Sequence, residues 1–203
     1  MLRIVKHIAG NEEKGIPNVS FKLYTESGNQ IGDTYTTNAE GKVEVPDLKV
    51  GNYYVQEFEA PHYLDFDPQV QVKFTIDANA EKGVELKIPN KVKTMSVSGT
   101  KTWNDNNAPD RPSIINVDLL QNATVVQTQE VTAANGWSYS FEDVPTYDTE
   151  GNAYTYTVQE QPVAGYTSEV HGYNITNTKV VQTTTVEGTK TWKDGDAADR
   201  PSN

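Results

Sequence analysis

The chain has 203 residues, 35% of them hydrophobic and none of them cysteine, with a formal net charge of -11. That is enough apolar material for one large β-domain or two small, thin cores without disulfides, and the acidity repels phosphate backbones and anionic lipid, which weighs against nucleic-acid binding. The opening Met1-Leu2-Arg3-Ile4-Val5-Lys6 lacks a signal-peptide apolar core and no stretch approaches the roughly 20 apolar residues of a membrane span, so no membrane insertion is expected, and an exported parent protein would make this chain an excerpt.

In chain order, nearly every element reads as strand. The apolar set Leu2, Ile4 and Ile8 alternates along the first segment. Period-two alternation follows in Val19-Ser20-Phe21-Lys22-Leu23, in Val70-Gln71-Val72-Lys73-Phe74-Thr75-Ile76 and in Val84-Glu85-Leu86-Lys87-Ile88. Ser27-Gly28-Asn29, Asn38-Ala39-Glu40-Gly41, Ala134-Asn135-Gly136 and Thr149-Glu150-Gly151-Asn152 supply the Gly and Asn that tolerate turns with positive φ. No convincing amphipathic helix interrupts them, and many short strands with regular turns predict β-sandwiches.

The organisation comes from an internal repeat. Gly99-Thr100-Lys101-Thr102-Trp103 recurs as Gly188-Thr189-Lys190-Thr191-Trp192, and Asp110-Arg111-Pro112-Ser113 as Asp199-Arg200-Pro201-Ser202, 89 residues on in both places (190 less 101, 199 less 110). A period of that size is a whole domain, so the chain is expected to end just inside the next copy. A fainter echo links Tyr54-Val55-Gln56-Glu57 with Thr157-Val158-Gln159-Glu160, giving two divergent copies of one plan. The expected divisions are a first domain over 1–93, a second over 94–182 and the stub of a third over 183–203, with a short, stiff connection near Asn90-Lys91-Val92-Lys93-Thr94.

Strand parity then singles out three polar residues in each copy. Lys6 shares the face of Leu2, Ile4 and Ile8; Glu57 that of Tyr53 and Val55; Asn90 that of Val84, Leu86 and Ile88. In the second copy Lys101 falls in register with Val97, Gly99 and Trp103, Glu160 with Tyr154, Tyr156 and Val158, and Asn177 with Tyr173 and Ile175. Unpaired charges are expensive to bury, so the same three types in the same order on apolar faces require mutual compensation. Burial lowers a lysine's pKa and raises a glutamate's, so such a pair can redistribute a proton and present a neutral amine to the carbonyl carbon of the Asn carboxamide. A protonated Glu would stabilise the tetrahedral intermediate and pass a proton to the departing ammonia, leaving a Lys–Asn amide. Because the nucleophile is consumed, this is maturation without turnover. The plainer alternatives are a hydrogen-bonded buried ion pair, or a lysine that snorkels past the sheet edge.

These motifs give the chain a resemblance to tandem CnaB-type domains, the collagen-adhesin B-repeat and pilin-like modules of Gram-positive surface adhesins and pilins. The second domain carries it in Gly99-Thr100-Lys101-Thr102-Trp103, Asp110-Arg111-Pro112, Gly136-Trp137-Ser138-Tyr139, Tyr156-Thr157-Val158-Gln159-Glu160, Gly165-Tyr166 and Ile175-Thr176-Asn177-Thr178. The first resembles the pilin-like branch through Gly15-Ile16-Pro17-Asn18-Val19, Phe21-Lys22-Leu23-Tyr24, Tyr53-Tyr54-Val55-Gln56-Glu57, Ala60-Pro61 and Ile88-Pro89-Asn90. It departs from the pattern where His62 precedes Tyr63 in place of Gly, and where Pro89 stands for Thr before the terminal Asn.

The resemblance implies an all-β fold of tandem immunoglobulin-like, transthyretin-like β-sandwich domains. It also implies that Lys6 joins Asn90 with Glu57 assisting and that Lys101 joins Asn177 with Glu160 assisting. Lys190 would be the bonding lysine of the third repeat, its partners lying beyond Asn203, and would remain a free amine here.

Other residues read more plainly. Asn104-Asp105-Asn106-Asn107 and Asp194-Gly195-Asp196 are oxygen-rich, but neither has the spacing of a calcium loop, and no metal or other cofactor is expected. His7, His62 and His171 are scattered without ligand spacing and default to surface or loop positions. Trp103 and Tyr156 fall on core parity, which favours packing over a carbohydrate platform.

Three functions are open. The leading one is a non-enzymatic extracellular stalk or pilus shaft, anchored to a Gram-positive cell wall, monomeric as isolated, whose neighbours are other repeats of its own chain. A module that recognises a host matrix protein comes second, and an enzyme with an external substrate third, since the only reactive constellation is self-consuming.

Overall fold

In the computed structural model, residues 1–79 and 83–201 are described; Ser202, last of the repeated Asp-Arg-Pro-Ser, lies outside them. The chain is nearly all β. In the first half the strands are β1 (Leu2–Ile8), β2 (Asn11–Gly15), β3 (Ser20–Thr25), β4 (Gln30–Thr36), β5 (Lys42–Val45), β6 (Gly51–Glu59), β7 (Leu64–Asp65), β8 (Val72–Ile76) and β9 (Val84–Val92). One sheet runs β2-β1-β9-β7 with β5 also on β1, and the other runs β4-β3-β6-β8. The second half contributes β10 (Thr94–Asn104), β11 (Ile114–Gln121), β12 (Thr124–Thr132), β13 (Ser138–Pro145), β14 (Tyr156–Glu160), β15 (Tyr166–His171) and β16 (Asn174–Lys179). Here the sheets are β13-β10-β16-β15 and β12-β11-β14.

Each pair of sheets closes on its own core, as the alternation requires. The first is built on Leu2, Ile4, Phe21, Leu23, Val55 and Leu64, the second on Val97, Val117, Leu119, Val131 and Ile175. The turn at Ala134-Asn135-Gly136 is a single 3-10 turn over Ala133–Asn135, closed by Gly136 at φ 66°, a left-handed conformation that suits glycine. The strand expected from Val70 begins at Val72; Val70 lies outside it and is exposed.

His7 departs from its expected surface position. It is 6% exposed within β1, with Nδ1 3.0 Å from the Ile8 carbonyl oxygen. The cause is an irregularity between His7 and Ile8, where β1 passes from its pairing with β5 to its pairing with β2 and successive side chains stop alternating.

In both halves the first and last strands lie side by side in parallel. β1 pairs β9 with Lys6 opposite Ile88, and β10 pairs β16 with Lys101 opposite Ile175. Between β9 and β10 stands Lys93 alone. Its N–H donates to the Tyr63 carbonyl at 2.9 Å and its carbonyl accepts from Thr146 N–H at 2.8 Å, so the connection is hydrogen-bonded into both halves. Tyr147 packs on the first core and meets His62 edge to face, with centroids 5.2 Å apart, while Lys14 pairs with Glu150. Gly151, at φ 88°, lies under Tyr63 so closely that a Cβ there would sit 2.7 Å from the ring.

Candidate functional site

The parallel register fixes the geometry of both polar sets. Asn90 lies two residues beyond Ile88, the partner of Lys6, and Asn177 two beyond Ile175, the partner of Lys101. A step of two keeps side chains on one face, so each Lys and Asn lean toward each other diagonally across neighbouring strands. The glutamate comes from the facing sheet: Glu57 on β6 is paired with Phe21, Glu160 on β14 with Val117. One arrangement is thus built twice from different sequences.

In the first set, Lys6 is 0%, Glu57 8% and Asn90 6% exposed. Lys6 Nζ donates to Asn90 Oδ1 at 2.5 Å and lies 2.9 Å from Glu57 Oε2, while Asn90 Nδ2 donates to Glu57 Oε1 at 2.5 Å. The carboxylate therefore spans the amine and the carboxamide nitrogen, the two nitrogens between which a proton must move in amide exchange. Burial pushes the Lys6 amine below its ordinary pKa against the opposing pull of Glu57. An open cleft of about 350 Å³ flanks this set, lined by Glu57 and Asn90 together with Phe21, Phe66, Val72 and Ile88.

In the second set, Lys101, Glu160 and Asn177 are likewise buried. Lys101 Nζ approaches Glu160 Oε1 to 3.2 Å, close enough for an ion pair but not aligned as a hydrogen bond. Both polar atoms of the Asn177 carboxamide are also buried without a partner. Each such orphan costs on the order of 1–3 kcal/mol, so it is the carboxamide of Asn177, rather than the ion-paired amine, that this interior accommodates poorly. Burial again lowers the lysine's pKa, opposed by Glu160 and then Asp105.

The sequence reading missed the role of Asp105. Its side chain is buried and clasped by Arg111, whose Nε donates at 2.8 Å and whose Nη2 makes a second, shorter contact; Tyr166 Oη donates to it at 3.0 Å. Arg111 holds this carboxyl far below its usual range. The signal was present, since an aspartate stands six residues before the repeated arginine in both copies, Asp105 with Arg111 and Asp194 with Arg200. Trp103 and Tyr156 pack in the core region as parity required, and His62 and His171 are exposed. Lys190 lies in an exposed segment, with Nζ 4.5 Å from the Trp192 ring centroid.

Comparison with known proteins places both halves. Residues 3–92 match the family described as the prealbumin-like fold domain, and residues 97–178 match the Cna protein B-type domain. A collagen adhesin of Staphylococcus aureus is 33% identical over 202 residues, 92% of this chain and 17% of that relative, so the chain spans about a sixth of its length. Two B repeat units of the S. aureus collagen binding protein superpose with a TM-score of 0.55 at 28% identity, over 87% of this chain and 48% of that one. The Bacillus anthracis TIE protein shares the fold at 20% identity and a TM-score of 0.53, over 87% of this chain and 32% of that one. The class is that of tandem β-sandwich modules of the prealbumin-like and Cna B types. Residues 3–92 belong with the prealbumin-like fold domains and residues 97–178 with the Cna protein B-type domains.

Proposed function

We propose that this chain is a structural stalk or shaft segment of a bacterial surface adhesin or pilin, self-locked by Lys6–Asn90 and Lys101–Asn177 isopeptide bonds. It divides into domains at 1–93 and 94–182, with the start of a further repeat over 183–203. The observation that carries the reading is the duplicated geometry: lysine and asparagine two residues out of register on parallel first and last strands, with a glutamate from the facing sheet beside them.

In each domain the lysine nitrogen attacks the carboxamide carbon, the new C–N bond forms, and the bond to Nδ2 breaks. Glu57 or Glu160 carries the proton from the amine to the leaving nitrogen, which departs as ammonia. The glutamate is returned unchanged and the lysine is spent. Tension entering at the first strand then meets a covalent link to the last. The surface location, the adhesin context and any contact with a matrix protein come from the relatives and belong to this proposal.

Intact mass is the test. The wild-type chain should weigh two ammonia equivalents less than its sequence, Glu57→Ala and Glu160→Ala one each, and Lys190 should appear unmodified in peptide maps. An unshifted wild-type mass sinks the chemistry and leaves two ordinary sandwiches.

A further inference from the structure

The Asp105–Arg111 clasp takes no part in the bond-forming step, yet it closes against the reacting lysine. The Trp103 ring centroid lies 4.2 Å from Lys101 Nζ and 5.5 Å from the Arg111 guanidinium carbon. Trp137 and Tyr166 hold the same ring edge to face, at 5.2 and 5.0 Å. Two parts of it, the lysine–indole contact and the Asp–Arg clasp, recur in residues 190–200, where Lys190 Nζ sits 4.5 Å from the Trp192 centroid and Arg200 Nε lies 2.9 Å from Asp194 Oδ2, although no strands are assigned around that segment. Those two contacts stand without surrounding sheets and so follow local sequence.

We propose that Arg111 is a positioning residue for the Lys101–Asn177 cross-link: by clasping Asp105 and bracing Trp103 beside the amine, it keeps Lys101 dry and withholds a counter-charge from it. This rests on the cross-link reading above. Against the amine lie Glu160 from β14 at 3.2 Å and the Trp103 ring of β10, with the charge of Asp105, just past the end of β10, acting on it; Arg111 and Tyr166 from β15 both hold Asp105. Tyr139 donates to the Tyr173 carbonyl and, with its pKa raised to about 12 by burial, stays neutral. The anions are therefore Glu160, which the reaction needs, and Asp105, which it does not. Both favour the ammonium, whereas burial favours the free amine. Arg111 offsets the charge of Asp105 and covers the tryptophan. The first set has Lys6-His7-Ile8 where the second has Lys101-Thr102-Trp103, so it lacks this device and serves as a control within the same molecule.

Chains recovered unfolded in urea are diluted into buffers from acidic to alkaline pH, and the two linked peptides are quantified by mass over time. In Arg111→Gln the rate–pH curve for Lys101–Asn177 should move to higher pH, about tenfold slower at neutral pH for each unit of displacement, with its alkaline plateau kept and Lys6–Asn90 unchanged. Arg111→Lys should recover part of the shift. Should Arg111→Gln fail to fold, Tyr166→Phe, which removes one donor to Asp105, should show a smaller displacement in the same direction. A curve that superimposes on wild type, or a loss equal at every pH, overturns the proposal. Absence of the Lys101–Asn177 peptide from wild-type protein would instead overturn the cross-link reading itself.

Discussion

The two buried sets share a backbone register and differ in their enclosure. Around Lys6 the carboxylate and carboxamide are mutually hydrogen-bonded and border an open cleft. Around Lys101 the polar atoms lack hydrogen bonds, and an indole braced by an arginine closes the site. The shared part is what the reaction requires, since only register can bring amine to carboxamide. The differing part is how each lysine is packed, and it follows local sequence.

If register alone governs the gain from cross-linking, the largest effects should be equal. The proposed bonds would close loops of about 84 and 76 residues, which chain-closure arithmetic values at about 4.5 kcal/mol each. Glu57→Ala and Glu160→Ala should therefore lower unfolding stability by similar amounts in denaturant titrations. A gap of several kcal/mol between them would show that enclosure matters more than connectivity.

Next in size is the packing beneath each bond. Ile88 and Ile175 occupy equivalent places opposite the two lysines, but Ile88 borders the cleft while Ile175 is fully buried. Ile175→Ala should cost about 3–5 kcal/mol and Ile88→Ala nearer 2 kcal/mol, because a residue already bordering an open cleft loses fewer packed neighbours. Equal costs would mean that the cleft is not a feature of the folded protein in solution.

The smallest effect is one of pH, read by blocking the reaction in Asn90→Ala and Asn177→Ala. Each lysine then stays titratable, with a folded pKa below the ordinary 10.5. Between the lowered value and 10.5 the unfolded chain binds more protons, so stability rises with pH across that window and is weakest below it. Wild type, with both amines converted to amides as proposed, should lack that rise at these two positions. Parallel stability–pH curves for variant and wild type would argue that the lysines keep their normal affinity for protons.

Much of this was legible because strand parity is a strict code. Lys6, Glu57, Asn90, Lys101, Glu160 and Asn177 all sit on the apolar faces that alternation assigned them. His7 escaped because an irregularity in one strand breaks the code locally and leaves no mark in composition. Asp105 was hidden differently: an acid beside asparagines reads as a loop, and although its six-residue spacing from Arg111 recurs in the sequence, only the fold brings Tyr166 to it. The cleft beside Asn90 also depends on how two sheets meet at their ends, which no single segment encodes.

Lys93 has a consequence for torsion. Its N–H is held by one half and its carbonyl by the other, so the last strand of the first sandwich passes into the first strand of the second with one residue between. Turning one half about that shared line would break a backbone hydrogen bond and slide Tyr147 off the first core. The joint therefore acts as a keyed coupling, passing twist from one sandwich to the next instead of absorbing it as a swivel.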